Sequence, residues 1–374
     1  MKLMRFLGVL YGILTISSIS FVLYSGIHSK SAFGSPSTPW TIVVVAGQSN
    51  AEGTNSFISQ IPQGQELGTH PADDSSYIWW EGADGAAPTS ASDYFNTISN
   101  PGFTVSGWMH SQNTDPAMDR LIKVRDLDKP VPMGQRQGQF GPEIGIVRQL
   151  YDQGNRNIVV LKVSYGFQAL AKANSQFIPY DWYPDIPGQP VRNKSYTHLM
   201  SAYSGLTSFL SNRGDTYHTG AVYWLQGETD TLDSGYTALF EENFDLLVNR
   251  LKIDLNLVQN GHIVIRKFNM RHCIDNAYPI NSGNYCGMGY ALSLEGASFS
   301  TILNSVTVNA IQSIPLNASR VRTVRGAIQT ISDKYDWVDA VETDDQPFGN
   351  DFIHLSTASQ LEIGKRMAAM ADVP

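Results

Sequence analysis

Short apolar runs recur along this chain, each closed by a turn-like sequence and followed by a stretch of helical period. Five of them read as buried parallel strands: Thr41 to Ala46, Asn157 to Val163, Gly220 to Leu225, His262 to Phe268 and Trp337 to Val341. Each is rich in β-branched or aromatic residues and too short to be a helix. Helical periodicity fills the intervals over Pro142 to Tyr151, Tyr196 to Leu210, Tyr236 to Leu255, Ser319 to Ile331 and Thr357 to Ala371. Strand alternating with helix implies a parallel sheet covered on both faces. The expected fold is an α/β, three-layer α/β/α sandwich around a five-stranded parallel sheet, with long loops at its carboxyl edge.

Two stretches break the pattern. From about Phe57 to Gln139 the chain is rich in Gly, Pro, Ser and Asp and carries Trp79, Trp80 and Trp108. A second irregular stretch, Phe177 to Lys194, carries Tyr180, Trp182 and Tyr183. Aromatics in loops at the carboxyl edge can stack on sugar rings, or they can fasten the loops to the core. No internal repeat and no linker divides the region from 35 to 374, which reads as one domain.

The first 34 residues are of another kind. Lys2 and Arg5 precede an apolar run from Phe6 to Tyr24, followed by small and polar residues. That order makes an export signal, and the run is near the length needed to stay as an N-terminal membrane anchor. Only two cysteines occur, Cys273 and Cys286, across a short loop. In an exported chain such a pair reads as a disulfide, worth on the order of 3 kcal/mol. The whole chain of 374 residues is 42% hydrophobic and 16% charged, with a net charge of -8. No basic cluster of the kind that binds a phosphate backbone stands out, so nucleic acid is not an expected partner.

The candidate chemistry lies at the predicted strand ends. Ser49 follows the first strand in Gly47-Gln48-Ser49-Asn50-Ala51-Glu52-Gly53. There a following helix N-terminus can offer N–H groups to a developing oxyanion. A serine after a strand is more often a helix cap. Near the other end, Asn350-Asp351-Phe352-Ile353-His354 precedes the last helix. Asp351 can orient one imidazole nitrogen of His354 and leave the other to act as base for a serine. The second strand ends in Ser164-Tyr165-Gly166-Phe167 and the third in Gln226-Gly227-Glu228-Thr229-Asp230. A backbone N–H of Gly166 and the side-chain amide of Gln226 can join the Ser49 N–H as an oxyanion hole. Neither a His-x-Glu nor an HExxH arrangement is present, and no metal or other cofactor is expected.

The order GQSN, a glycine block, QGExD and DxxH before a C-terminal helix resembles the SGNH-type hydrolases. More narrowly it is similar to the sialate O-acetylesterase and carbohydrate esterase family 6 branch, which carries Gln in the third block. Phe140-Gly141-Pro142-Glu143 resembles a further feature of that group. The resemblance implies Ser49 as nucleophile, His354 as base and Asp351 as its orienting acid. It implies Ser49, Gly166 and Gln226 as oxyanion donors. Phe167 departs from the second glycine that many relatives carry after Gly166. Glu143, Glu228 and Asp230 are expected to hold loops through backbone N–H groups. An O-acetylated carbohydrate is the implied substrate: acetyl xylan or a related polysaccharide first, O-acetyl sialic acid second. An envelope sugar O-acetyltransferase and a non-catalytic carbohydrate-binding protein are the competing classes.

Overall fold

The computed structural model describes residues 38–54, 56–80, 121–126, 139–165, 168–170, 182–184, 194–231, 233–268, 308–348, 354–371 and 373. Its strands, in chain order, are β1 (Trp40–Gly47), β2 (Tyr77–Trp80), β3 (Leu121–Lys123), β4 (Ile158–Ser164), β5 (Tyr217–Leu225), β6 (Leu257–Lys267) and β7 (Val338–Glu342). They form one sheet in the order β3-β2-β4-β1-β5-β6-β7. Only the β2–β3 pair is antiparallel; the other neighbours are parallel. All five expected strands are present. The expected sheet of five is corrected to six parallel strands with an antiparallel edge.

The reason lies in β2 and β3. At 4 and 3 residues they are too short to show a period within a loop-like composition. Tertiary pairing makes β2 a strand: Ile78 sits opposite Val160 of β4, and Ile78 and Trp79 are buried. β1, by contrast, is buried along its whole length, as a central parallel strand should be.

The helices are α1 (Ser49–Glu52), α2 (Pro71–Ser75), α3 (Glu143–Asp152), α4 (Lys194–Asn212), α5 (Ser234–Asp254), α6 (Val308–Lys334) and α7 (Thr357–Met370). Asp233 caps α5 by accepting from the N–H groups of Gly235 and Tyr236, and Ser356 caps α7 through Ser359 N–H. α3 and α7 cover one face of the sheet, their apolar residues packing with Val43, Val45, Val160, Tyr223 and Val264. These two helices touch backbone to backbone. A Cβ on Gly145 would lie 2.1 Å from the carbonyl oxygen of Leu361, and one on Gly364 would lie 2.1 Å from that of Pro142. α4, α5 and α6 pack on the other face, completing the three layers.

β1 and β4 are neighbours whose outgoing connections run to opposite sides, the first toward β2 and the second across β1 to β5. Such a reversal opens a crevice at the carboxyl ends of the two strands, where sheets of this kind bind ligands.

Of the loop aromatics, Trp79 and Trp182 are core residues. Trp182 packs edge-on against Trp224, ring centroids 4.9 Å apart. Among the described residues no helix is long and apolar enough to cross a membrane. The N-terminal segment 1–34, Cys273 and Cys286 lie outside the described residues.

Candidate active site

Gly47, the last residue of β1, pairs with Ser164 of β4 on one side and Leu225 of β5 on the other. The three strands therefore end level, and Ser49, Gly166 and Gln226 follow within two residues of those ends. The chain leaves β1 through a tight turn at Gly47, with φ +138°. Gln48 then donates its N–H to Leu225 O at 2.9 Å, and its side-chain oxygen accepts the N–H of Thr229 at 3.3 Å.

Ser49 is the first residue of α1, not its cap; the cap is Gln48, whose side chain makes no capping bond. Ser49 is only 5% exposed, and its Oγ has no hydrogen-bond partner among the described residues. A buried hydroxyl left without a partner costs about 1–3 kcal/mol, so its place needs a reason other than stability. Its N–H stands at the start of a helix, where no carbonyl four residues back lies within the helix to accept it.

His354 is 8% exposed and stands just before Leu355, which bridges to Phe348. Leu355 N–H donates to Asn50 Oδ1 at 2.9 Å across a sequence distance of 305 residues. Ser56 Oγ donates to Leu355 O at 2.9 Å, and Gln360 Nε2 donates to Asn50 O at 2.9 Å. The residue after the serine is thus bonded to the residue after the histidine. Asp351 and Gly166, the other two expected site residues, lie outside the described residues.

Gln226 is buried at the end of β5, but its amide is already engaged. Its Nε2 donates to Gln168 O at 3.0 Å and also to Asp230 Oδ2. Turning the amide over would set its oxygen against two acceptors, which fixes the orientation. Asp230 also accepts Leu170 N–H, at 3.0 and 3.1 Å. Gln226 and Asp230 together brace the segment after β4, and Gln226 reaches an oxyanion only by giving up one of these bonds.

Two buried ion pairs flank α1, and the sequence alone does not pair their members. Lys162 Nζ donates to Glu143 Oε1 at 2.7 Å and to Glu52 O at 3.0 Å, while Glu143 accepts Gly141 N–H at 3.0 Å. Arg266 Nη1 donates to Glu228 Oε1 at 2.8 Å, and Asn50 Nδ2 donates to the same oxygen at 2.8 Å. Burial pushes both cations below their ordinary pKa values, and the neighbouring carboxylates oppose that shift. Glu143 and Asp230 hold backbone N–H groups as expected; Glu228 instead holds two side chains. The available signal is a single Lys or Arg inside an otherwise apolar strand run, since such a charge is buried only with a partner. Among the described residues no group of three His, Cys, Asp or Glu is placed to hold a metal ion.

No protein-family model matches the chain, and no curated protein matches its sequence. Solved structures similar to it include a protein from Arabidopsis thaliana, 15% identical with a TM-score of 0.49, the match covering 89% of this chain and 98% of that one. NanS is 13% identical with a TM-score of 0.46, covering 89% of this chain and 97% of that one. A carbohydrate acetylesterase from Xanthomonas citri is 12% identical with a TM-score of 0.43, covering 88% of this chain and 55% of that longer one.

Proposed function

We propose that this chain is a serine esterase that removes O-acetyl groups from carbohydrates through an acyl-enzyme on Ser49. The supporting observation is the buried Ser49 Oγ, which caps nothing and stands at the carboxyl end of a central strand. Its neighbour Asn50 is bonded to the backbone beside His354.

In this reading His354, oriented by Asp351, takes the proton of Ser49 as Oγ attacks the acetyl carbonyl carbon. The carbonyl π pair moves onto oxygen, and that oxyanion is met by the N–H groups of Ser49 and Gly166. Gln226 joins them when its amide leaves Asp230 or Gln168. His354 then gives its proton to the departing sugar oxygen as the ester C–O bond breaks. Water, deprotonated by the same imidazole, attacks the acyl-enzyme and releases acetate and free Ser49.

The carbohydrate substrate rests on the resemblance of GQSN, QGETD and DFIH to the carbohydrate esterase motifs. Acetyl xylan or a related polysaccharide is the first choice and O-acetyl sialic acid the second. An acetylated substrate outside the cytoplasm fits the export signal or anchor read over residues 1–34.

The test is hydrolysis of p-nitrophenyl acetate by the wild-type protein and by Ser49→Ala. The variant should lose at least about a thousandfold in kcat, as removal of a nucleophile does. Equal rates would sink the reading. Acetate release from acetylated xylan against O-acetyl sialic acid then decides between the substrates, and an added acceptor sugar separates hydrolysis from acyl transfer.

A further inference from the structure

Asn50 ties the turn after β1 both to the loop after β5 and to the turn that carries His354. Its Nδ2 donates to Glu228 Oε1 at 2.8 Å and its Oδ1 accepts Leu355 N–H at 2.9 Å. Arg266, reaching in from β6, holds the same Glu228 oxygen at 2.8 Å. Asn50, Arg266 and Gln360 are fully or almost fully buried. The amide cannot turn over: its NH2 would then face the N–H of Leu355, and its oxygen would face a carboxylate. The ion pair therefore fixes which end of Asn50 points at the backbone beside His354.

A buried ion pair is weak evidence for stability, because the desolvation of both charges offsets most of their attraction. Orientation is the better account of this one. Glu228 spends its bound oxygen on Asn50 as well as on Arg266, and Asn50 passes that orientation on to Leu355. The Leu355 backbone has a second anchor in Ser56 Oγ at 2.9 Å. Loss of the Asn50 bond thus leaves the turn attached but free to shift.

Resting on the reading of Ser49 and His354 as nucleophile and base, we infer that Asn50, backed by Glu228 and Arg266, is a positioning residue that sets the His354 turn against Ser49. A misplacement of about 1 Å between reacting groups can cost about a hundredfold in rate.

The experiment uses the full chain with Asn50→Ala, Asn50→Asp, Glu228→Ala and the conservative Glu228→Gln. Two rates are read: turnover of p-nitrophenyl acetate, split into kcat and KM, and phosphonylation of Ser49 by a fluorophosphonate probe. Asn50→Asp sets two carboxylates against each other. Glu228→Ala leaves Asn50 Nδ2 and Arg266 Nη1 without this acceptor, whereas Glu228→Gln keeps an oxygen in the same place that can accept from both. Asn50→Ala, Asn50→Asp and Glu228→Ala should lose about a hundredfold in kcat and in labelling rate, with KM changed less than about threefold. Glu228→Gln should stay within about tenfold of wild type.

Asn50→Ala and Asn50→Asp variants that label and turn over at the wild-type rate would overturn the positioning role. So would a folded Glu228→Gln no faster than Asn50→Ala, and this comparison carries the test if another variant fails to fold. A wild-type chain that the probe labels no faster than Ser49→Ala overturns the nucleophile reading and the positioning role with it. A labelled wild type with unaffected variants overturns the positioning role alone.

Discussion

The carbonyl oxygen of Leu225 accepts the Gln48 N–H at 2.9 Å, and it is also the atom that a side chain on Gly47 would strike, since a Cβ there would lie 2.2 Å from it. With φ at +138°, Gly47 holds a backbone conformation that other residues rarely adopt. Gly47→Ala should therefore cost more than about 1 kcal/mol, from strain and from displacement of the β5 backbone. Because Ser49 hangs from that turn, esterase activity should fall by more than the loss of folded protein explains. Urea unfolding together with kcat per folded molecule checks both; wild-type values of the two would refute the account. The turn glycines were legible in the sequence, and so was Ser49 as a candidate. Whether Ser49 was a cap or something else was not, because that depends on where Oγ finds a partner. Gln226 shows the converse: its place at a strand end was legible, but its bonds to Gln168 O and Asp230 were not. Those partners come from a loop 58 residues away and from one residue's side-chain rotamer.

Between elements, the buried pair of Lys162 on β4 and Glu143 on α3 makes the sharpest test. Lys162→Met leaves the Glu143 carboxylate buried with only the Gly141 N–H and should destabilise by about 3–5 kcal/mol. Lys162→Met with Glu143→Gln should recover most of that loss, since the amide oxygen still accepts Gly141 N–H and no charge is left alone. Thermal or urea unfolding of the two variants measures the coupling, and equal losses in both would count against the pair. Burial holds Lys162 below its ordinary pKa. Between that lowered value and about 10.4 the unfolded chain holds the extra proton, so this group's contribution to stability rises with pH over that window. The slope should vanish in Lys162→Met. Element-level legibility follows burial. β1, β4 and β5 were readable because both faces are covered, which forces continuous apolar runs. β2 and β3 were not, since a strand of 3 or 4 residues is defined by its partner rather than by its own pattern.

At the scale of the whole molecule, the site is assembled from distant parts of the chain. Ser49 follows β1, Gln226 follows β5, and His354 precedes α7, so the residues beside the proposed nucleophile and base, Asn50 and Leu355, are joined only when the sheet and its covering helices are complete. This is why the order of motifs was legible in the sequence while their convergence was not: spacing along the chain says nothing of which strand ends lie level. Residues 36–374 form one compact unit. The nearest described ties to the start of the chain are Asn157 Nδ2 to Thr38 O at 3.2 Å and Trp40 N–H to Thr216 O at 2.8 Å, both inside that unit. A chain beginning at Pro36 keeps all of them. It should unfold in one cooperative transition, with a midpoint within about 2 °C of the full chain, a difference smaller than about 1 kcal/mol in a domain of this size. Its kcat on p-nitrophenyl acetate should match that of the full chain. A second transition, or a midpoint lowered by more than about 4 °C, would mean that residues 1–35 carry part of the fold's stability. An unchanged midpoint and rate would be consistent with the export signal or anchor proposed for residues 1–34, and detergent-free solubility of the shortened chain compared with the full one then tests for an anchor.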